Sequence, residues 1–577
     1  MRKYYKNAVK KIVKKELEPY FLLFLLIGCI LFIFSNIGLY PLIDIDETRY
    51  VNMSKYMYLT KEYITPMLNF EPFLEKPPLY FWLNSLSFKL LAEQSLFASR
   101  FATALVSTFG VFFTYFFAKK ITNDGLYGFL CANVLLASAW FLVFSHVAIL
   151  DLNFMVFSMC AIYCAVIPLF EKKENPKKVY WYLGYIFCAL SILAKGFIGL
   201  AIPCMVVFFT YLVFGKTKEL FKPIYIIPGI ILFLLIALPW HILIYKAHGQ
   251  AWVNMYILKH HFARLLNSQG LGRKQPFLFY VPILILGLTP WCFNFVIVLI
   301  RDTKRTIKKI KASASIKEFF TFDSVDKKIM TFAYIYFFST FLFFSSASTK
   351  LPPYILTVFP SLSLIVGNLW YRLIENKENK KEIKISSYIN SILFLVISFL
   401  GLIFAFVYKS ILPSNIEFYI NDATGFAIPA LVYVFIVSLY SFILIKKEKF
   451  VSVFIMHLAL MLGAVYVTCD FGIPYYTSFA QDELEEYAQF INQQKNSLIV
   501  TYGFSTKYSI LNPKKKIKYI VATNKDDQIE LMKFIKKNRK KNVFVLTRTK
   551  NNDLENRKIF KKVKEGKVYR IYVDNLR

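Results

Sequence analysis

The chain has 577 residues, 56% of them hydrophobic and 18% aromatic, with a mean hydropathy of +0.47. Soluble domains are roughly 45–50% apolar, so this composition excludes an ordinary globular protein and points to a polytopic membrane protein. A formal charge of +34 would suggest nucleic acid in a soluble chain, but here the lysines sort into alternate loops, which excludes that partner.

The apolar run from Phe21 to Leu42 carries no charged side chain and is long enough to cross a bilayer as a helix. It exceeds a signal-peptide core and lacks a small-x-small cleavage site, so it is expected to stay as the first span. Thirteen spans are expected in all, at about 20–42, 95–118, 125–145, 148–170, 179–194, 197–214, 223–245, 277–300, 329–346, 353–371, 387–408, 424–445 and 450–470. Threaded from a cytoplasmic basic N-terminus (1–19), they place every short lysine-rich loop on one side. The opposite loops hold acids, histidines, isolated lysines and prolines.

The stretch 79–93 reads as an interfacial helix because Asn84, Lys89 and its short length disfavour a crossing. The tail 478–577 alternates "SLIVTYG", "IKYIVAT" and "NVFVLT" with amphipathic runs, the pattern of a small external α/β domain. The eight cysteines form no CxxC pair and no zinc spacing, and Cys160 and Cys164 lie one helical turn apart, as packing residues do.

The first external loop, 42–94, carries the chemistry. Asp46 and Glu47 open a segment in which Tyr50, Val51, Ser54, Met57 and Tyr58 follow helical spacing, so Asp46 lies at a helix N-terminus, where a carboxylate favours the dipole. That placement fits an N-cap as well as a reacting group. In "EPFLEKPPLYFW", Pro77 biases Lys76 toward extended backbone and Pro78 suits the first turn of a helix. Glu75 and Lys76 are therefore presented ahead of a helix N-terminus, and a lysine ammonium beside free N–H groups suits a phosphate.

The motifs "DETRY", "EKPPLYFW", "FASRFATAL", "LAKGFIG", "HHFAR" and "STKLPPYILTVFPSL" follow in order from residue 46 to about 362. Together they resemble the integral-membrane glycosyltransferases of the C superfamily, with the nearest likeness to the lipid A aminoarabinose transferases and the protein O-mannosyltransferases. The resemblance implies an all-α polytopic membrane domain over 20–477 with the small α/β domain behind it. It also implies transfer of a sugar from a polyprenyl (undecaprenyl) phosphate donor to lipid A or a protein, at the periplasmic face of a bacterial inner membrane. By that resemblance Asp46, Glu47 and Asp151 are candidate catalytic carboxylates, with Asp46 the base or orienter of the acceptor. Lys76, Arg264 and Lys350 are candidate ligands of the departing phosphate, while Lys195 reads equally as snorkelling residue or phosphate contact. Asp151 reads also as a helix-start carboxylate.

Glu75, His260 and His261 are candidate ligands of a divalent metal such as zinc, although adjacent histidines are poorly placed to face one ion. Two other functions stay open on sequence: a protein O-glycosyltransferase, which would need a base for a hydroxyl acceptor, and a polytopic transporter. A transporter favours midplane charges and repeated halves, whereas these charges sit at span ends.

Overall fold

The computed structural model describes residues 2–43, 46–171, 178–263, 275–312, 324–411, 414–480, 482–503, 517–520, 525–549, 554, 560–566 and 568–574, with the side chains of most of these from residue 16 onward. Each of the thirteen expected spans has a helical counterpart. Nine helices among the described residues are long and apolar enough to cross a membrane, and a tenth span arises if Gly125–Leu136 and Ala139–Ser145, bent by 68°, are taken together. Thirteen therefore remains the expectation from sequence. The chain is a multi-pass membrane protein. One apolar core runs through the helical region, from Leu25 to Cys469.

The first helix differs from its expected span at both ends. It runs from Arg2 to Cys29, taking in the basic N-terminus, continues as a π-turn over Ile30–Phe34, and then stops. Asn36 is left-handed (φ 64°), and 35–43 is turn and extended chain although still apolar. Such backbone at membrane depth survives only where other groups satisfy its carbonyls.

The loop 42–94 forms as its sequence indicates. Helix Asp46–Thr60 starts with two acids, buries Tyr50, Val51, Ser54 and Met57, and ends at left-handed Lys61. A two-stranded turn, Met67–Leu68 against Glu71–Pro72, leads to helix Leu79–Leu91, with Pro78 at its N-cap and left-handed Ala92 closing it. This second helix packs against helices Asp46–Thr60 and Leu96–Thr122. Ser95 caps Leu96–Thr122 by accepting from the Ala98 N–H (3.1 Å), and left-handed Asn123 ends it after Lys119 and Lys120, cations suited to a helix C-terminus.

In the tail, strands Ile517–Ile520, Ser497–Tyr502, Asn542–Arg548, Tyr569–Asp574 and Phe560–Glu565 lie in that spatial order. The first three are mutually parallel, and the last two form an antiparallel hairpin on that sheet. Alternate residues face opposite layers: Ile499, Phe544 and Leu546 pack on helix Asp482–Gln493, while Val500, Val543 and Val545 pack on helix Lys525–Lys537. Burial on both faces explains why the strands read as continuous apolar runs.

Candidate functional site

Arg100 organises the exit from the first helix. Its Nε donates to Glu47 Oε1 (2.7 Å) and its Nη2 to Glu47 Oε2 (3.0 Å). Nη1 donates to the carbonyls of Ile37 and Tyr40 (both 2.8 Å), and Nη2 also donates to that of Pro41 (2.9 Å). The guanidinium carbon lies 3.9 Å from the Tyr40 ring centroid. One planar fork thus satisfies the carbonyls that the broken helix leaves behind and binds the carboxylate bidentately.

Glu47 accepts two further bonds, from the backbone N–H of Ile43 (2.7 Å) and of Ala148 (2.8 Å). Tyr40 and Tyr80 donate their hydroxyls to the carbonyls of His146 (2.7 Å) and Ala148 (2.6 Å), fastening the loop to the connection before helix Leu150–Val166. Both side chains of the Glu47–Arg100 pair are 0% exposed. Every oxygen of Glu47 is engaged by donors, so this acid holds the loop in place and has no face toward a substrate.

Asp46 is placed in the opposite way. Its side chain is 57% exposed at the helix N-terminus, where it pairs with Arg49. The Arg49 guanidinium lies 5.0 Å from the Tyr50 ring centroid and 5.6 Å from that of Phe73. Burial works against its charge, but Tyr50, Asp46 and Glu75 outweigh it and hold Arg49 above its ordinary pKa. Burial pushes the Tyr50 phenol well up, with Asp46 and Asp151 adding to the shift against Arg49, so Tyr50 stays neutral between the two acids.

Asp151 is in the first turn of helix Leu150–Val166 and is ion-paired with Lys195, the last residue of helix Lys178–Lys195, at 2.5 Å. The Lys195 ammonium also lies 4.3 Å from the Tyr354 ring centroid and 5.0 Å from that of Phe154. Two candidates that the sequence treats separately are therefore one buried pair. A pair this dry is strongly destabilised by losing one partner, so each residue holds the other in place.

Lys350 is buried in the connection before Pro352–Val358, donating to the carbonyls of Ala347 (2.7 Å) and Gln275 (3.0 Å). Burial lowers the pKa of its ammonium. Lys76 and Glu75 are half-buried in the turn ahead of helix Leu79–Leu91, as their prolines indicate. Arg264 and the side chains of His260 and His261 lie outside the described residues. Among the described residues no group of three or more His, Cys, Asp and Glu could hold a metal.

The site residues that sequence reasoning passed over are Arg100, Arg49, Tyr50 and Tyr354. Arg100 had a signal: it is the sole charge between Leu96 and Ala118, and a charge inside a span needs a counter-ion.

A family model described as dolichyl-phosphate-mannose-protein mannosyltransferase matches residues 19–258. The chain is 27% identical over 390 residues to an uncharacterized protein of Aquifex aeolicus, covering 68% of this chain and 71% of that one. It is 25% identical over 347 residues to an undecaprenyl phosphate-alpha-4-amino-4-deoxy-L-arabinose arabinosyl transferase of Proteus mirabilis. That match covers 60% of this chain and spans only 58% of the transferase's own length. The crystal structure of ArnT from Cupriavidus metallidurans bound to undecaprenyl phosphate superposes with a TM-score of 0.73 at 16% identity, covering 96% of this chain and 98% of that one. Residues 19–258 thus match the mannosyltransferase family model, and the chain as a whole has the fold of the ArnT crystal structure.

Proposed function

We propose that the chain transfers a sugar, a hexose or pentose, from a polyprenyl (undecaprenyl) phosphate donor to a lipid A-like acceptor. The observation that carries this reading is the contrast between adjacent acids: Glu47 is locked to Arg100, while Asp46 is held at a helix N-terminus with its carboxylate open to solvent. The relatives named as undecaprenyl phosphate-aminoarabinose transferases support the choice of donor.

In the proposed reaction the acceptor oxygen attacks the anomeric carbon, a new C–O bond forms, and the bond to the lipid phosphate breaks. A hydroxyl acceptor passes its proton to Asp46, whereas a phosphate acceptor is already ionised and needs Asp46 only for orientation. The departing phosphate takes up negative charge, which Lys76, Arg264 and Lys350 stabilise. Asp151 and Lys195 fix the neighbouring helix ends. The domains in this reading are the cytoplasmic N-terminus 1–19, the transferase domain 20–477 with its loop 42–94, and the periplasmic domain 478–577. The membrane is a bacterial inner membrane. Impermeant labelling of single cysteines placed in 42–78 and after 478, but not in 301–328, is the outcome this orientation requires.

A protein O-glycosyltransferase is the second reading, favoured by the family model over residues 19–258. Purified protein in proteoliposomes, given labelled polyprenyl phosphate sugar, should move label to lipid A and not to a Ser/Thr peptide. Label in the peptide alone selects the second reading. Label in neither, with solute flux across the vesicle, would leave a transporter.

A further inference from the structure

Helices Lys380–Ile411, Ser414–Lys446 and Phe450–Val467 each hold an apolar span, and none of them carries a residue of the candidate site. One face of the first is nevertheless polar. Ser386, Ser387, Asn390 and Ser391 fall together at helical spacing, and all four are buried. Ser386 accepts from the Asn294 amide (2.6 Å) on helix Cys292–Ala312. Ser391 donates to the Ser441 hydroxyl (3.1 Å) on helix Ser414–Lys446.

Asn390, Ser391, Ser438, Ser441, Met456 and His457 line a small cavity among the three helices. Along their helices Asn390 lies about 15 Å from Lys380, Ser441 about 8 Å from Lys446 and His457 about 11 Å from Phe450. All three therefore reach the cavity from the end at which Lys380 and Lys384 pair with Glu448, and they meet inside the apolar spans. Bulk water does not bathe that depth, so a polar group there needs a partner in the protein or a captured molecule.

Two acceptors decide what that molecule is. His457 Nδ1 lies 2.9 Å from the Val453 carbonyl, which can only accept, so Nδ1 carries the hydrogen and Nε2 of the neutral ring offers a lone pair. Trp291 and Trp370 pack on the ring, with centroids at 5.3 and 6.0 Å, and hold its orientation. His457 Nε2 and Asn390 Oδ1 are both buried with no hydrogen-bond partner among the described residues, and their side chains are 3% and 4% exposed. A buried acceptor left this way is costly, so the ligand must bring two donors. The cavity gives the centre of a water-sized sphere about 10 Å³, roughly the least that lodges one water. A cation would also seek these acceptors, but no carboxylate lines the cavity to balance it in hydrocarbon. A water donates one hydrogen to each acceptor and accepts from a serine hydroxyl.

We propose that this cavity binds a single water molecule, which donates to His457 Nε2 and Asn390 Oδ1 and so joins helices Lys380–Ile411 and Phe450–Val467 beside the serines of the helix between them. The proposal does not depend on the sugar-transfer reading.

The test is radiolytic hydroxyl-radical footprinting of the full chain in detergent, in water labelled with heavy oxygen, because a captured water yields radicals beside the side chains it touches. Met456 lines the cavity and is the reporter, while Met155, fully buried on helix Leu150–Val166, is the reference. Label should enter Met456 faster than Met155. Asn390→Leu, which keeps the size of the side chain and removes one acceptor, should lose that excess. Ser438→Val, which fills the cavity and spares both acceptors, should lose it too. A bound water also exchanges more slowly than bulk, so the parent switched into labelled water just before the pulse should carry less label at Met456 than after full equilibration. That comparison decides alone if neither variant folds. Met456 labelled no faster than Met155, labelled at the parent's rate in a folded variant, or labelled equally before and after equilibration, would overturn the proposal.

Discussion

Glu47→Gln keeps the size and shape of the buried acid and removes its charge. The four groups that face the two carboxylate oxygens are all donors: Arg100 Nε, Arg100 Nη2, and the N–H groups of Ile43 and Ala148. An amide can accept through its oxygen only, so its NH₂ must point at a donor whichever way it is turned. Arg100 is then left as an uncompensated charge in a site with no solvent screening, which costs about 3–5 kcal/mol. Arg100→Met should cost at least as much, because it also orphans the carbonyls of Ile37, Tyr40 and Pro41, at about 1–3 kcal/mol for each buried group. The double variant should cost less than the sum of the single ones, by up to roughly 3 kcal/mol, since the pair shares one interaction. Thermal and denaturant unfolding in detergent measures the stability, and transfer assays well below the midpoint measure turnover of the folded fraction. If Glu47→Gln unfolds like the parent yet loses turnover, Glu47 belongs to the chemistry and the holding role is wrong.

Asp46→Asn should behave in the reverse way, leaving stability unchanged because Asn caps a helix about as well as Asp. Its turnover should fall roughly 10²–10⁴-fold if Asp46 is a base, while Asp44→Asn is mild; equal damage from both would return the cluster to capping. Lys76→Ala should abolish transfer, and Lys76→Arg should restore only part of it, since a planar fork does not replace a compact ammonium; full activity in Lys76→Ala would remove it from the phosphate site. Asp151→Asn and Lys195→Met should each destabilise by about 3–5 kcal/mol, and much less when combined, as read from the unfolding midpoints in a double-mutant cycle. Lys350 has a folded pKa below its usual value near 10.5, so the unfolded chain binds more protons between the two values. Stability should therefore rise with pH across that window, and Lys350→Met should flatten the rise in unfolding temperature measured as the pH approaches 10.5 from below.

The helices were legible because a bilayer demands long apolar runs, and the loop helices because their prolines, acids and periodic apolar residues mark their limits. Hydropathy was blind to the stop at Phe34, since residues 35–43 stay apolar after the helix has ended. It was equally blind to partners: Glu47 meets a guanidinium 53 residues away, and Asp151 an ammonium 44 residues away. Composition finds each charge, but only the packing of helices pairs them. In the tail the three parallel strands were evident from their apolar runs. The hairpin Phe560–Glu565 and Tyr569–Asp574 was not, because "FKKVKE" is a lysine-studded edge strand, whose charges discourage pairing with other chains.

The Arg100 fork also sets an order of assembly. The segment 35–43 cannot keep its course on its own, because the carbonyls of Ile37, Tyr40 and Pro41 need a donor carried by a helix that begins at Leu96. Glu47 needs in addition the N–H of Ala148. A ribosome delivers these parts in sequence, so a nascent chain that has inserted only its first helix and loop holds a solvated acid and an unformed turn. The loop closes when the next helix brings its guanidinium, and it is fastened when the connection at Ala148 emerges. Asp46 thus takes its position only after the chain has been threaded far beyond it.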